Sequence, residues 1–374
     1  MKVVKRILIA ILIAIIAVAA AFFGLYFTRI QTVSSIAKVT DYDDYNLYRI
    51  DVKYDYDLDG VIGYGLTDNQ RFIDAVLKES LPLLPISMKA PDFGCTAFTA
   101  NGGDGSVFMG RNYDFKNDTS AMLVYCAPKG GYKSVAFAAL DNISANDADS
   151  GIKRKLACLT APFICLDGMN EKGVSIAVLT LDSEPTLQST GKPTIATTLA
   201  IRLVLDRAAT TQEAVDLLRG YDMFATSGRD YHFYITDASG DGRAVEYDCS
   251  SETRELVDTP SRAVTNFFIL YKDNVLPNQR NGIYGHGRER YDAAEAVLSA
   301  HEGDQDKAVA WEALISASQA PKEGDVTSNT QWSIVYDDTH LTAEIAIRRD
   351  WDSVIKYDLA KNALDLAPLR ADFE

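Results

Sequence analysis

The chain is poor in the residues that usually announce a metal or cofactor enzyme. It has four histidines, His232, His286, His301 and His340, and none stands in a His-Glu-x-x-His arrangement, so the common zinc-protease spacing is missing. No glycine-rich phosphate loop opens a helix, because its glycine cluster "NGGDG" lies between two apolar runs. The stretch "GSVFMG" is no nucleophile elbow, because its serine directly follows the first glycine and the Gly-x-Ser-x-Gly spacing is missing. "DYDLDG", Asp55 to Gly60, begins like a calcium loop, but position twelve is Leu66 where a bidentate glutamate is required, so a solvated strand end fits better. There is no basic stripe with interleaved aromatics, and the net charge is −15, which repels phosphate backbones and excludes nucleic acid as a partner. These absences predict no metal and no cofactor. Low-complexity tracts and internal repeats are also missing.

Cysteine is sparse and odd in number: Cys95, Cys126, Cys158, Cys165 and Cys249. At least one thiol is therefore free, and the other four pair in any of three ways.

What is present is an ordinary globular composition, 47% apolar and 24% charged over 374 residues, enough for one large domain or two medium ones. Lys2, Lys5 and Arg6 precede an uncharged apolar run from Ile7 to Tyr26, long enough to cross a bilayer as a helix. The cationic flank stays inside, so the rest is expected outside the cytoplasm. Small residues at Ala17 to Ala21 would suit signal cleavage, whereas the continued run Phe22-Phe23-Gly24-Leu25-Tyr26 suits an uncleaved anchor. Membrane attachment or secretion follows.

Beyond the run, Tyr48, Ile50, Val52, Tyr54 and Tyr56 alternate with polar residues, which is strand periodicity. "NQRFIDAVLKESLPLL", residues 69–84, predicts a helix stopped by Pro82 and Pro85. After Cys95 come short β-rich runs: "SVFMGRNYDF", "AMLVYCAP", "SVAFAAL", "VSIAVLTL", "HFYITDA", "AVEYD" and "AVTNFFIL". Helical spacing marks "TTLAIRLVLDRAATTQEAVDLLRGYD", with a fresh cap at Thr210-Thr211, then "GRERYDAAEAVLSAH" and "DKAVAWEALISAS". "QWSIVYDDTHLTAEIAIRRDWDSVIKYDL" predicts strand, turn at Asp337-Asp338, and strand. Strands and helices in blocks imply an α+β fold with antiparallel sheets.

The stretch with the most chemistry is "PDFGCTAFTANGGDGSVFMGRNYDF", Pro91 to Phe115. It predicts a hairpin turning at "NGGDG". A turn centred at residue 103 sets Cys95 opposite Arg111, with Cβ atoms about 5 Å apart. Strict alternation would send Arg111 and Asp114 to opposite faces, so a bulge near Asn112-Tyr113 is needed if both are to reach Cys95. A cation beside a thiol favours the thiolate. Cleavage between Gly94 and Cys95 would create an α-amine with a pKa of about 8, suited to a general base.

The motifs "GCTAF", "GRNYDF" and "DGMNEKGVSIAV" resemble the choloylglycine hydrolase family of N-terminal nucleophile amidases, which includes bile salt hydrolases and penicillin V acylases, with acid ceramidase-type amidases as relatives. The resemblance runs from Cys95 to about Tyr357 and includes "RLVLDRAATTQEAVDLL" and "HFYITDASGDGRAVEY". It implies a four-layer αββα fold and hydrolysis of linear amides, the substrate being a small-molecule N-acyl amide with an apolar acyl group and a small polar amine. It implies Cys95 as nucleophile and, through its freed amine, as base. Arg111 and Asp114 would line the site, Asn266 in "VTNFF" would hold the nucleophile and oxyanion, and Arg290 in "GRERYD" would be the later arginine, with Arg288 competing for that place. Where bile salt hydrolases carry an asparagine, this chain has Thr180, whose backbone N–H could serve the oxyanion. Asn170 in "DGMNEKG" fits a turn residue.

Activation would need chain cleavage after Gly94, because Cys95 lies behind the membrane segment and a further stretch of chain. The implied organisation is residues 1–30 as anchor or signal peptide, 31–94 as prosegment, and 95–374 as the catalytic domain. Three other readings compete: an acyltransferase on the same fold, a membrane-tethered binding protein that never matures, and a papain-like protease that would depend on one histidine. Monomer and homo-oligomer both stay open.

Overall fold

The computed structural model describes residues 2–82, 94–115, 118–280, 282–321 and 329–369. The chain opens with α1 (Lys2–Ser34), then β1 (Ala37–Lys38), β2 (Leu47–Asp51), α2 (Leu58–Ile62) and α3 (Asn69–Ser80). The central hairpin is β3 (Gly94–Asn101) and β4 (Val107–Asp114). It is followed by β5 (Ala121–Cys126), β6 (Ser134–Ala139), α4 (Ile152–Ala157), β7 (Asp167–Asn170), β8 (Val174–Leu181) and β9 (Thr194–Ala196). Next come α5 (Thr197–Arg207), α6 (Thr211–Arg219), β10 (Asp222–Phe224), β11 (Asp230–Asp237), β12 (Arg243–Tyr247), β13 (Leu256–Pro260) and β14 (Ala263–Val264). The chain closes with α7 (Arg288–Ala300), α8 (Lys307–Ala317), β15 (Thr330–Asp337), β16 (Thr342–Ile347), β17 (Val354–Asp358) and β18 (Ala363–Leu369).

Two large sheets form. One runs β1-β2-β5-β6-β7-β8-β11-β12-β13, the other β14-β3-β4-β15-β16-β17-β18. They face each other through β3 against β8 and β11. Helices α7 and α8 cover the outer face of the smaller sheet at β3 and β4, while α5 and α6 cover the larger sheet at β7, β8 and β11. That gives the helix, sheet, sheet, helix layering that the family resemblance implies. Alternation sorts β3 between two cores. Cys95 and Ala97 lie in the core between the sheets, whereas Phe98 and Ala100 join the core beneath α7 and α8 with Leu298, Trp311 and Leu314.

Local rules set most boundaries. Asp68 caps α3, its Oδ1 accepting the Arg71 N–H at 2.9 Å, and the helix stops at Ser80, two residues before Pro82. Residues 83–85 of the expected helix end lie outside the described residues. Thr210 caps α6 by accepting from the Glu213 N–H at 3.1 Å, as the sequence predicts. The "DYDLDG" acids are partly a cap as well, because Asp57 Oδ1 accepts the Gly60 N–H at 2.9 Å and starts α2.

The alternating segment before α2 is more than an exposed arm. Tyr48, Ile50, Val52, Tyr54 and Tyr56 are all buried, and β2 pairs parallel with β5 inside the larger sheet. The regular strand ends at Asp51, yet the alternation of burial continues to Tyr56. Tyr54 OH donates to Leu159 O at 2.6 Å, and Tyr56 OH donates to Asp206 Oδ1 at 3.0 Å. Among the described residues one helix, Val4–Ser34, is long and apolar enough to cross a membrane, with mean hydropathy 3.0 over an 18-residue stretch. Its C-terminal end docks on the domain: Arg29 Nε donates to Ser80 O at 2.9 Å, and its guanidinium lies 4.7 Å from the centre of the Tyr54 ring.

Disulfides, which the sequence left open, do not form, since all five cysteines are free. Burial pushes the thiols of Cys95 and Cys158 up to about 12 and that of Cys126 up to about 11, from an ordinary value of 9.0. Below pH 9 these thiols are neutral in both folded and unfolded chains and leave stability unchanged. Above it the unfolded chain ionises first, so stability falls as pH rises toward the folded values. Each thiol is expected to cost about 2 kcal/mol by pH 11. Urea midpoints at pH 8 and pH 11 check this, and Cys158→Ala is expected to flatten the decline.

Candidate active site

The site grows from the β3–β4 hairpin. Its turn runs from Gly102 to Ser106, closed by the Gly102 N–H on Ser106 O at 2.8 Å. The turn is therefore centred at Asp104, one residue later than the sequence suggests. Cys95 consequently pairs with Tyr113, and Arg111 pairs with Ala97. The expected direct Cys95–Arg111 pairing is corrected by two residues. An even shift keeps every side chain on its face, so Arg111 remains beside Cys95 as a diagonal neighbour.

Arg111 is locked from several sides. Its Nη2 donates to Val178 O at 2.8 Å and its Nη1 to Asn112 O at 3.0 Å. Its Nε meets Asp167 Oδ2 at 3.3 Å, and both side chains are fully buried. Tyr336 OH donates to the other Asp167 oxygen at 2.6 Å. Burial raises the thiol of Cys95, and the Arg111 guanidinium beside it pulls the other way. In the uncleaved chain burial wins, and Cys95 is a neutral thiol with no exposed surface.

The expected bulge in β4 is absent. Pairing of β3 with β4 is continuous from Gly94↔Asp114 to Asn101↔Val107. The irregularity lies on the next strand, between Thr330 and Trp332 of β15. Alternation therefore holds, and the Asp114 carboxylate takes the helix-side face. There Oδ1 accepts from Thr330 Oγ1 at 2.6 Å, Oδ2 accepts from Gln319 Nε2 at 2.7 Å, and Arg290 Nη1 lies 3.5 Å away. Asp114 acts on Cys95 in two opposed ways: its carboxylate charge pushes the thiol up, and its backbone N–H, the smaller effect, favours the thiolate.

"AVTNFFIL" forms only two residues of strand, Ala263–Val264. Beyond Val264 the chain leaves the ladder, and the Asn266 side chain replaces a main-chain partner of β3. Its Oδ1 accepts the Cys95 N–H at 2.9 Å, and its Nδ2 donates to Thr180 O at 2.9 Å. Arg290 completes the group. Its Nη2 donates to the same Asn266 Oδ1 at 2.7 Å and its Nη1 to Cys95 O at 2.6 Å. Arg288 points elsewhere, to Asp292 Oδ1 at 2.7 Å and Lys272 O at 2.8 Å. Cys95, Arg111, Asp114, Thr180, Asn266 and Arg290 thus come together, and Arg288 does not.

Asn170 is a turn residue, as expected: its Oδ1 accepts from the Lys172 and Val174 N–H groups at 3.0 and 3.1 Å. No histidine bonds the Cys95 thiol. His232 is buried between Glu246 and Thr265 O at 3.0 and 2.8 Å, which leaves the papain-like reading without a partner for Cys95. Among the described residues no cluster of three or more metal-ligating side chains forms. Sequence reasoning missed Asp167 and Tyr336. Asp167 carried a usable signal, an acid opening "DGMNEKG" ahead of a fully apolar strand. Tyr336 carried none.

Residues 95–266 match the family described as linear amide C–N hydrolases, choloylglycine hydrolase family, so the resemblance carried by the motifs is borne out. No curated protein sequence matches the chain. Solved structures do. Penicillin V acylase from Agrobacterium tumefaciens matches with TM-score 0.51 and 19% identity, over 71% of this chain and 87% of that one. Two variants of a conjugated bile acid hydrolase from Clostridium perfringens match with TM-scores 0.54 and 0.53 and 14% identity. Each covers 72% of this chain, and 95% and 96% of the respective neighbours. At these identities the likeness establishes the fold alone: α+β, in a four-layer αββα arrangement, preceded here by the apolar helix.

Proposed function

We propose that the chain is a hydrolase of linear amides whose nucleophile is the Cys95 thiol, freed as an N-terminal residue by self-cleavage after Gly94. The observation that carries the reading is the handling of the Cys95 main chain. Its N–H rests on Asn266 Oδ1, which also takes Arg290, while its thiol faces Arg111 on the other side of the strand. Side chains thus hold both main-chain groups of Cys95, Asn266 Oδ1 taking its N–H and Arg290 Nη1 donating to its C=O, while Arg290 also bonds Asn266.

In maturation, Cys95 Sγ attacks the Gly94 carbonyl carbon and the Cys95 nitrogen leaves with the thiol proton, giving a thioester. Water hydrolyses the thioester to a Gly94 carboxylate, a free thiol and an α-amine. In turnover, the amine takes the thiol proton and Sγ attacks the substrate carbonyl. The amine then hands that proton to the leaving nitrogen, and water releases the acid from the thioester. Arg290, hydrogen-bonded to both Cys95 O and Asn266 Oδ1, disfavours a second positive charge there and keeps the amine neutral enough to act as base. Asn266 and Thr180 form the oxyanion region.

Residues 31–94 then form the upstream piece of a two-chain protein, held by β2 inside the larger sheet. After cleavage the two pieces are expected to elute together at native size and to part only in denaturant. Separation under native conditions would count against this organisation. Activity is tested by incubating the cleaved protein with N-acyl amides and following acid release. Hydroxylamine in the same assay separates water as acceptor from the acyltransferase alternative. An N-terminal helix left uncleaved would tether the domain to the membrane outside the cytoplasm.

A further inference from the structure

The segment "GHG", Gly285 to Gly287, presses on the site from outside. Both glycines have positive φ, +103° and +87°. A Cβ on Gly285 would fall 2.1 Å from Asn266 O, and one on Gly287 would fall 2.3 Å from Arg290 Nη2. Only glycine fits at either place. The pair brings the His286 backbone into contact with the site, and the His286 N–H donates to Asn266 O at 2.8 Å. The His286 ring is held by Asp182, whose Oδ2 lies 2.7 Å from Nδ1. Asp182 stands two residues beyond Thr180, and Asn266 Nδ2 donates to Thr180 O.

These bonds form a continuous strip, Cys95 N to Asn266, Asn266 to Thr180 and to His286, and His286 to Asp182. Exposure rises along it. Asn266 is fully buried and Thr180 is 7% exposed. The side chains of Asp182 and His286 are 19% and 32% exposed. The strip therefore leads from the nucleophile to solvent. Among the described residues the His286 Nε2 has no hydrogen-bond partner, so it is the polar atom this strip offers to an incoming molecule.

We propose that His286, steadied by Asp182, binds the amine half of the substrate and selects amines that carry an oxygen group. The inference rests on Cys95 acting through its α-amine. That amine must hand its proton to the leaving nitrogen, so the amine half departs on the Asn266 side of Cys95, where His286 is the next residue outward. An imidazole whose Nδ1–H donates to Asp182 presents a bare Nε2 that accepts from a hydroxyl, its imidazolium form donates from Nε2 to a carboxylate, and neither form offers an alkyl chain anything.

The test compares N-acylglycine, N-acylethanolamine and an N-acyl propylamide of the same acyl chain. His286→Ala is expected to raise KM about tenfold for the first two, the size of one hydrogen bond, with kcat nearly unchanged and the propylamide unaffected. Asp182→Asn, whose amide oxygen can still accept from Nδ1, keeps most of the affinity. An equal loss on all three substrates, or no loss, overturns the proposal. The ratio of the glycine to the ethanolamine effect tells carboxylate from hydroxyl. A second readout does not need turnover: the His286 ring signals, identified by their loss in His286→Gln, should shift on adding glycine or ethanolamine but not propylamine. If no amide is hydrolysed, the amidase reading fails by itself. The ring titration then still decides the subsite, with no selective shift overturning it.

Discussion

Replacing Cys95 by alanine is expected to leave one uncut chain of 41.0 kDa, while the wild-type protein yields two pieces, the larger beginning at Cys95. The reason is local. The nucleophile, the scissile carbonyl and the departing nitrogen all belong to Gly94-Cys95, so the thiol can be lost without touching the fold. Cys95 is buried in the core between the sheets, and trimming one sulfur there costs little compared with a large-to-small change. Asn266 and Arg290 keep their mutual bond in the variant. The variant should therefore fold and stay whole, which intact mass and N-terminal sequencing read directly. Cys95→Ser keeps a weaker nucleophile and is expected to cut slowly. If wild type and Cys95→Ala both stay whole while folded, self-processing is wrong, and the tethered binding-protein reading moves ahead. If both are cut at Gly94-Cys95, another protease does the work.

Asp167→Asn is expected to destabilise the protein by about 3–5 kcal/mol and to abolish most processing. Asp167 and Arg111 are paired at 3.3 Å with no exposed surface on either side chain, and removing one partner strands the other charge in the core. Asparagine is nearly isosteric, so packing survives. Its amide oxygen can still accept from Tyr336, but its NH₂ then meets the Arg111 Nε–H, donor against donor. Arg111 must shift, and the cation beside the Cys95 thiol moves with it. Tyr336→Phe removes one hydrogen bond to Asp167 and should cost about 1 kcal/mol with a partial slowing. The measurements are urea midpoint and processing rate as a function of pH. A stability loss with an unchanged pH dependence of processing would make Asp167 a support of the core only, with no hold on the thiol.

Much of this site is legible in the order of residues. Cys95 and Arg111 share a face because residues of a hairpin alternate, and an error of two in register leaves that parity intact. Asn170 is legible because a short polar side chain in a Glu-Lys-Gly turn has few other uses. The buried alternation from Tyr48 to Tyr56 reads as a strand, but its place inside the larger sheet does not. A parallel pairing with β5 joins segments more than seventy residues apart, and no local pattern encodes it.

The amino-acid order thus settles the chemistry on offer: a glycine before a cysteine, an arginine and an aspartate at the other end of a hairpin, and no histidine pattern or metal set to compete. Alternation and turn chemistry are short-range, so they survive without knowledge of the rest of the chain. Long-range packing chooses which of Arg288 and Arg290 serves the site. Both begin α7, but only Arg290 faces β3, because Gly287 leaves room for its guanidinium. Packing also makes Asp114 work from the helix side, and it sets Asp167 and Tyr336 around Arg111. Those contacts join segments 56 to 169 residues apart in the chain, and each depends on how two sheets and a helix settle against one another.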